Sequence, residues 1–351
     1  MTYFRHNIEQ MSGYVPGEQL VGANIIKINS NENPYPPSPL VLEALRNLDG
    51  ELYGELLRRY PEPMAGRFRT AVSAALDIPP DWIIVGNGSD ELLSVITRAC
   101  TAPQRQIVCP MPTYVLYRTL AQIQDAEFVE IPYDENYNLP LAELIAANGA
   151  VTFVASPHSP SGTVVPLELL DKLATQLHGV LVIDEAYVDF AREDALELAK
   201  KHDNVIILRT LSKGYSLAGI RLGFAVANPA LIAGLLKVKD SYNVDAIACI
   251  VGVAAIQDRA HKNANAEKVK ASRAVLAREL EKLNFDVYPS QANFLLARSS
   301  HSDAAHLYHS LKARGILVRY FPQPRLEDKL RITVGTDEQN ARLVKALSEI
   351  L

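Results

Sequence analysis

The segment LRTLSKGYSLAGIRLG (208–223) places a lysine where it could do covalent chemistry. Lys213 follows an apolar, β-rich run, with Thr210 and Ser212 just before it and Arg221 eight residues after it. A lysine amine can form a Schiff base with a carbonyl compound, and two hydroxyls and a guanidinium can bind a phosphate dianion. A Ser-Lys pair by itself is more often part of a solvated loop, so this prediction depends on the neighbouring loops.

A second apolar run, VLVIDEAYVDF (180–190), ends in a carboxylate. An aspartate buried at a strand end needs a partner, and Asp184 could pair with a protonated ring nitrogen of a cofactor while Tyr187 hydrogen-bonds a ring oxygen. The structural alternatives are an aspartate that caps a turn and a tyrosine packed in the core. A D-E pair after a strand could also hold Mg²⁺, but the chain has no G-x-x-x-x-G-K-[ST] loop to support that interpretation.

Two further loops follow short apolar runs. In VGNGSDELLSV (85–95), glycines lead into a predicted helix, and the backbone amides of Ser89 and Asp90 at its start could bind a phosphate. Either residue could equally be a helix cap. In CPMPTYVLY (109–117), Tyr114 could stack on a flat cofactor, although packing in the core is the commoner role of a lone tyrosine.

Two arginines near the C-terminus, Arg319 in ILVRYF and Arg331 in LRITVG, fall in β-rich segments. A half-buried arginine needs an anionic partner, so the pair indicates either a site for a substrate carboxylate or phosphate or ordinary structural salt bridges. His301, His306 and His309 lie on a predicted surface helix without other ligands at metal spacing. We therefore predict no metal site.

The elements that carry these loops alternate between short β-rich runs and helical stretches from about residue 40. This order predicts an α/β fold with a mostly parallel central sheet covered by helices, whose ligands bind at the carboxyl ends of the strands. A helical tract from about 229 to 284 and a small α+β region follow. The predicted parts are an N-terminal arm with part of the small domain (1–38), a large cofactor-binding domain (39–247) and a C-terminal small domain (248–351).

The composition is that of a globular enzyme, with 351 residues and a formal net charge of −5. A mildly acidic chain has no electrostatic footprint for nucleic acid or for an anionic membrane. No apolar run reaches the ~20 residues of a membrane span, and the first ten residues lack the pattern of a secretory signal. Three cysteines without a C-x-x-C pair fit a reducing compartment, so we expect a cytoplasmic protein.

Taken together, these motifs resemble the fold-type I pyridoxal-phosphate aminotransferases, and among them the histidinol-phosphate aminotransferase family. The resemblance covers nearly the whole chain. It is carried, in order, by GYVPGE (13–18), NENPYPPSP (31–39), RYPEP (59–63), GNGSDELL (86–93), PTY (112–114), DEAYVDF (184–190), TLSKGYSLAGIRLG (210–223) and LRITVGT (330–336).

The resemblance implies a role for each candidate residue. Lys213 would bind pyridoxal 5′-phosphate as a Schiff base and later carry a proton, with Asp184 at the pyridine nitrogen and Tyr187 at the ring oxygen. The remaining cofactor ligands would be Ser89, Asp90, Thr210, Ser212 and Arg221 at the phosphate and Tyr114 stacked on the ring.

The resemblance also implies a substrate pocket and a partner. Arg331 matches the arginine that binds the substrate anion, and Arg319, Tyr14 and Asn33 match other pocket positions. Tyr60 would reach the cofactor phosphate of a second subunit, which implies a homodimer.

One loop departs from the family. The family sequence S-P-N-N-P-T-G reads Ser156-Pro157-His158-Ser159-Pro160-Ser161-Gly162 here, so Ser159 replaces the asparagine that donates to the cofactor's ring oxygen. Either Ser159 donates through a water or His158 substitutes for it.

The expected reaction is amino transfer between L-histidinol phosphate and 2-oxoglutarate in histidine biosynthesis. Aromatic amino acid aminotransferases and threonine-phosphate decarboxylases share the same loops and are the alternatives. A more remote alternative is a non-catalytic sensor that uses this fold to bind an amine or a phosphate.

Overall fold

A computed structural model describes residues 3–13, 18, 22, 25–48 and 50–351. In chain order its strands are β1 (Ile26–Lys27), β2 (Ile83–Gly86), β3 (Ile107–Met111), β4 (Phe128–Pro132), β5 (Val151–Ala155), β6 (Val180–Asp184), β7 (Val205–Thr210), β8 (Gly223–Ala227), β9 (Phe285–Val287), β10 (Phe294–Ser299), β11 (Ile316–Leu317), β12 (Arg319–Tyr320) and β13 (Lys329–Thr333).

Its α-helices are α1 (His6–Gln10), α2 (Pro39–Arg46), α3 (Gly50–Arg58), α4 (Gly66–Leu76), α5 (Ser89–Cys100), α6 (Leu116–Gln124), α7 (Leu141–Ala147), α8 (Leu167–Gln176), α9 (Leu196–Lys201), α10 (Pro229–Leu236), α11 (Ala246–Gln257), α12 (Arg259–Lys282), α13 (Ala304–Ala313) and α14 (Asp337–Ile350). Within the described ranges, no helix is both long and apolar enough to cross a membrane.

A seven-stranded sheet forms the centre of the molecule, in the order β2-β8-β7-β6-β5-β3-β4. Four of its strand pairs are parallel, and β8 runs antiparallel to both of its neighbours. Side chains alternate between the two faces of a strand. In β6, Val182 therefore packs into the core on one face and Ile183 into the core on the other. Burial on both faces explains the continuous apolar runs and confirms the predicted α/β class.

The sequence-based assignment missed β8 and treated residues 229–284 as one helical tract. In the structure this tract is three helices, because side chains of Asn228, Asp245 and Asp258 cap the starts of α10, α11 and α12. Each cap accepts a hydrogen bond from a first-turn amide and so fixes a helix start. The run GFAVA of β8 is apolar enough for a buried strand but is short and directly follows the Lys213 loop.

A four-stranded antiparallel sheet, in the order β12-β13-β10-β9, packs with α13, α14 and the second half of α12 around a separate core. Ile26 and Ile28 of the N-terminal region join this core, and β1 pairs with β11. In α11, Val251 and Ala255 pack instead into a core of the seven-stranded sheet. The domain limits at 38 and 247 stay a prediction, and the packing groups α11 with the large sheet.

Candidate active site

A cleft with a volume of about 230 Å³ opens at the carboxyl ends of β5, β6 and β7. Asp184 and Thr210 are the last residues of β6 and β7, and the lysine loop continues directly from β7. Arg319 and Arg331 line the cleft from the four-stranded sheet. Parallel strands bring their carboxyl ends to one edge of a sheet, which is why loops far apart in sequence meet here.

Lys213 extends into this cleft. Its Nζ donates to the carbonyl of Ser30 at 3.1 Å and lies 5.8 Å from the ring centre of Tyr187. The backbone of the lysine loop is held by Asn33, whose Nδ2 donates to the carbonyl oxygens of Lys213 and Gly214 at 3.1 and 3.3 Å. Asn33 was expected in the substrate pocket. The structure places its side-chain amide on the backbone of the lysine loop instead.

Asp184 is buried, and Tyr117 is its closest partner. The Tyr117 hydroxyl donates to Asp184 Oδ2 at 2.7 Å, and the backbone amide of Ala186 donates to Oδ1 at 3.0 Å. Burial raises the pKa of Asp184 to about 6, although both hydrogen bonds oppose the rise. A cationic partner in the cleft would stabilise the ionised form of this buried carboxyl group, and a protonated ring nitrogen is such a partner.

Sequence analysis missed Tyr117, which is fully buried and stacks on Phe153 with ring centres 4.8 Å apart. It lies three residues after Tyr114, and the two rings meet edge to face at 5.7 Å. The two tyrosines three residues apart, just before and within the start of α6, were the available signal. The contact with Asp184 spans 67 residues of sequence, so no local pattern could reveal it.

A cradle of backbone amides, a hydroxyl and a guanidinium lies where β2 meets α5. Gly88, at φ +78°, precedes the first amides of α5, and an added Cβ there would lie 2.7 Å from Nη2 of Arg221. Arg221 also donates to Ser212 Oγ at 3.2 Å and pairs with Asp90 at 3.2 Å. An added Cβ at Gly223 would lie 2.6 Å from the amide nitrogen of Ser89. Glycines thus let helix amides, a hydroxyl and a guanidinium converge, as anion binding requires.

The other predicted cofactor ligands border the same region. The Thr210 hydroxyl donates to Ser212 Oγ at 3.0 Å, and Tyr114 donates to Asp90 Oδ1 at 3.3 Å. Tyr114, Thr210 and Ser212 all line the cleft with Lys213. The structure therefore brings these hydroxyls, the aromatic ring and the amine into one pocket.

His158 and Ser159, in the loop that differs from the family sequence, make different contacts. His158 is buried, with Nδ1 bonded to Ser161 Oγ at 2.7 Å and Nε2 to the carbonyl of Pro112 at 2.9 Å. Burial lowers its pKa to about 4, so it is neutral at physiological pH. Both ring nitrogens are engaged within the protein, so the suggestion that His158 replaces the family asparagine is wrong. Ser159 lines the cleft, and its hydroxyl accepts from Arg331 Nη1 at 3.2 Å.

Arg319 and Arg331 are directly opposite each other on β12 and β13. Arg331 also donates to the carbonyl of Asn29 at 3.1 Å and lies over the rings of Phe294 and Phe321, at 5.3 and 5.4 Å. The guanidinium of Arg319 lies 5.1 Å from the ring centre of Phe321. Two fixed guanidinium groups on one wall of the cleft suit an anionic ligand.

The Glu185 side chain points away from the cleft, since neighbouring residues at a strand end face opposite sides of a sheet. Its carboxylate pairs with the guanidinium of Arg209 at 2.8 Å and accepts from the amide of Ala195. This contact argues against the Mg²⁺ alternative for the Asp184-Glu185 pair. Among the described residues, no group of three or more His, Cys, Asp or Glu side chains could hold a metal ion.

Two predicted residues lie apart from the cleft or outside the described residues. Tyr60 is 80% exposed after α3 and stacks on Tyr242 with ring centres 4.5 Å apart. Tyr14 lies outside the described residues.

This set of side chains fits pyridoxal phosphate. One cleft holds a lysine amine, a buried carboxyl group, a phenol and an anion cradle. The amine suits the aldehyde of the cofactor and the carboxyl group suits its pyridine nitrogen. The phenol suits its ring oxygen and the cradle its phosphate. The glycines of the cradle let the α5 amides and the Arg221 guanidinium approach each other closely. The fold and the site together define a pyridoxal-phosphate-dependent aminotransferase of fold type I.

Comparisons with known proteins agree. The family model for aminotransferase class I and II matches residues 23–347. The chain is 63% identical over 351 residues to histidinol-phosphate aminotransferase 1 of Trichormus variabilis, covering 100% of this chain and 99% of that protein. It is 43% identical to histidinol-phosphate aminotransferase of Geobacter sulfurreducens, covering 100% of both. The chain therefore belongs to the histidinol-phosphate aminotransferase family of class I and II aminotransferases, as its motifs predicted.

A solved structure supports the same placement. The crystal structure of histidinol-phosphate aminotransferase from Sinorhizobium meliloti in complex with pyridoxal-5′-phosphate superposes with a TM-score of 0.88 at 26% identity, covering 100% of this chain and 98% of that one. The predicted fold type is thereby confirmed.

Proposed function

We propose that this enzyme transfers an amino group between L-histidinol phosphate and 2-oxoglutarate, with pyridoxal phosphate bound at Lys213. The observation that carries the proposal is the pair of guanidinium groups, Arg319 and Arg331, on the wall of the cleft that holds Lys213. The donor has a phosphate and no carboxylate, whereas the acceptor has two carboxylates. One arginine pair can serve both in turn, because guanidinium groups bind either anion through parallel hydrogen bonds.

Some residues of the cleft would hold the cofactor, and Lys213 would transfer a proton. Pyridoxal phosphate, when bound, supplies an electron sink for the charge that develops at the substrate's Cα. Asp184 keeps the pyridine nitrogen protonated, and Tyr117 holds the Asp184 carboxylate through the 2.7 Å hydrogen bond. The amine of Lys213, when it is not holding the cofactor, would serve as the base that carries the proton between the substrate's Cα and the C4′ carbon of the cofactor.

The phosphate of the cofactor is assigned to the cradle of α5. We assign it to the amides of Ser89 and Asp90, the hydroxyls of Thr210 and Ser212, and Arg221. The positive end of the α5 dipole and the guanidinium both favour a dianion there. Tyr114 is assigned to the face of the ring and Ser159 to the edge of the site, beside Arg331.

We infer in addition that the enzyme acts as a homodimer in the cytoplasm. Leu42 of α2 and Leu57 of α3 are exposed, and Leu57 lies three residues before the exposed Tyr60, which supports a surface that another subunit covers. Tyr60 is assigned to the partner's cofactor phosphate. The three cysteines are free thiols, which supports a reducing compartment.

The proposal is tested with a panel of amino donors in the half-reaction. The reaction is monitored by the loss of the visible absorption of the bound cofactor. We expect L-histidinol phosphate to convert the cofactor to its amino form faster than phenylalanine or the unphosphorylated histidinol. Conversion by phenylalanine alone would instead identify an aromatic aminotransferase. Release of CO₂ from threonine phosphate would identify the decarboxylase, and binding without any conversion would identify a sensor.

Arginine variants test the observation that carries the proposal. Arg319→Gln and Arg331→Gln are each expected to raise KM for histidinol phosphate about tenfold or more while changing KM for histidinol little, because only the phosphorylated donor loses a charge-assisted hydrogen bond. Arg298→Gln is the control, since Arg298 pairs with Asp286 on the exposed edge of the same sheet. Equal losses for both donors would contradict the phosphate assignment.

A further inference from the structure

Asn31 belongs to the N-terminal segment that crosses the cleft, and its side chain is buried between two groups of the site. Its Nδ2 donates to the hydroxyl oxygen of Tyr187 at 2.8 Å. Its Oδ1 accepts from the Thr333 hydroxyl at 2.9 Å, and its backbone amide donates back to that hydroxyl at 3.0 Å. Asn31 is 1% exposed and adopts φ +57°, a conformation that asparagine tolerates better than most residues.

The hydroxyl of Thr333 fixes which way the Asn31 amide points. This hydroxyl already accepts from the Asn31 backbone, so its own hydrogen must find an acceptor, and Oδ1 is that acceptor. Reversing the amide would leave the hydroxyl hydrogen without Oδ1 in a place where Thr333 is 2% exposed. The NH₂ group is therefore the end that faces Tyr187.

This arrangement determines the direction of the Tyr187 proton. Because the phenol oxygen accepts from Asn31, its own hydrogen is left for an acceptor in the cleft that Tyr187 lines. The ring of Tyr187 is held edge to face against Phe294 at 5.0 Å. Lys213 lies 5.8 Å from the ring centre of Tyr187. The other charged residues that line the same cleft are Glu32, Asp90, Asp184, Arg221, Arg319 and Arg331.

The loop that differs from the family sequence makes the cofactor's ring oxygen depend more on the Tyr187 phenol. Ser159, which stands in place of the family asparagine, accepts from Arg331, and both ring nitrogens of His158 bond to Ser161 and Pro112. His158 is thus engaged within the protein, whereas the Ser159 hydroxyl keeps its own hydrogen for the cleft but belongs to a shorter side chain than the family asparagine. Control of the Tyr187 proton therefore matters more here than where an asparagine shares the contact.

We propose that Asn31 is a positioning residue that directs the Tyr187 hydroxyl proton to the ring oxygen of the cofactor. It also links that hydrogen bond to β13, because Thr333 lies two residues after Arg331 on the same face of the strand. The inference rests on the proposed function in one respect, which is that the acceptor in the cleft is pyridoxal phosphate.

The principal test is Asn31→Asp, read by the pH midpoint of the visible absorption change of bound pyridoxal phosphate. Aspartate keeps the shape and tolerates φ +57°, but it replaces the donor with an acceptor, so Tyr187 turns its proton away from the cofactor. A ring oxygen that loses its donor holds a neighbouring proton more tightly. The midpoint is therefore expected to rise by about one pH unit.

A Tyr187→Phe background separates this effect from the new negative charge. If Asn31 acts through Tyr187, Asn31→Asp raises the midpoint by clearly more in the wild-type background than in the Tyr187→Phe background. Asn31→Gly is the second variant, which keeps the backbone conformation if the aspartate disturbs folding. Because the phenol then lacks its polarising donor, a smaller rise is expected, and it should vanish in the Tyr187→Phe background.

Equal shifts in the two backgrounds, or no shift with either variant, would overturn the inference while leaving the proposed function intact. A wild-type protein that develops no visible absorption with pyridoxal phosphate would overturn the proposed function and this inference together.

Discussion

At the scale of single residues, Asp184 links the chemistry of the site to its stability. Burial raises its pKa to about 6 from an ordinary value near 3.8. Without cofactor, the folded chain keeps this proton up to about pH 6, whereas the unfolded chain loses it near pH 4. The folded state then binds more protons between these values, so its stability falls as pH rises through this window.

We therefore predict that Asp184→Asn removes part of the pH dependence of the cofactor-free protein. The shift corresponds to about 3 kcal/mol in total, of which roughly 1 kcal/mol is lost between about pH 5 and pH 7. Urea unfolding at several pH values should show the free energy of unfolding of wild type falling relative to the variant. Asp81→Asn, at an exposed position, is the control. A difference between wild type and Asp184→Asn that does not change with pH would contradict the prediction.

The sequence could identify the residues that chemistry demands but not the residues that hold them. Lys213, Asp184, Tyr187 and Arg221 lie in motifs whose order predicts one site. Tyr117 and Asn31 contact Asp184 and Tyr187 across 67 and 156 residues. Those contacts depend on how the strands are ordered in the sheet, which no local pattern specifies.

At the scale of elements, the junction of β2 and α5 explains the need for glycine at position 88. Its φ of +78° strains any residue that has a side chain, and a Cβ at this position would lie 2.7 Å from Arg221 Nη2, so the guanidinium would have to move. Gly88→Ala is predicted to push the guanidinium out of the cradle and to weaken equilibrium binding of pyridoxal phosphate about tenfold to a hundredfold, the value of one or two charge-assisted hydrogen bonds. Binding is measured by titrating the cofactor-free protein and following absorption.

Gly219→Ala provides the matched control for the cradle. Gly219 lies two residues before Arg221, and a Cβ there meets open space. The Gly219→Ala variant should bind the cofactor as tightly as wild type does. An equal loss of affinity in both variants would mean that a general change in the loop, rather than the contact with Arg221, is responsible.

The elements themselves were predictable in proportion to how clearly the chain marks them. Runs such as VLVI and VIIL are apolar throughout, and each became part of a buried strand with a parallel neighbour. The run of β8 was overlooked because no α-helix separates it from β7 and the lysine loop. The tract 229–284 was not divided into separate helices because the caps Asp245 and Asp258 look like ordinary polar residues until the amides they accept from are known.

At the scale of the whole molecule, the described chain holds a nearly complete site, and the surface around Tyr60 points outward from it. Tyr60 and its stacking partner Tyr242 are 80% and 48% exposed. The loop of Tyr242 is anchored through Asn243, which donates to Glu91 of α5 at 2.7 Å. The helix to which we assign one chain's cofactor phosphate thus supports Tyr242, on which the Tyr60 assigned to the partner is stacked. In a symmetric dimer this arrangement would occur twice.

A hybrid dimer tests whether Tyr60 acts across the interface. Lys213→Ala removes the amine of one site, and Tyr60→Glu places a carboxylate where we expect the partner's cofactor phosphate. Each variant alone is predicted to be nearly inactive at limiting pyridoxal phosphate. When the two chains are co-expressed with different tags and the doubly tagged dimer is isolated, one site combines the native Lys213 of one chain with the native Tyr60 of the other. That dimer should recover about half of the wild-type activity, because one of its two sites is intact.

If Tyr60 served its own chain, neither site of the hybrid would be complete and the activity would stay at the level of the separate variants. A hybrid made from two Lys213→Ala chains with different tags sets the background, and recovery no higher than that background would contradict the assignment of Tyr60 to the partner.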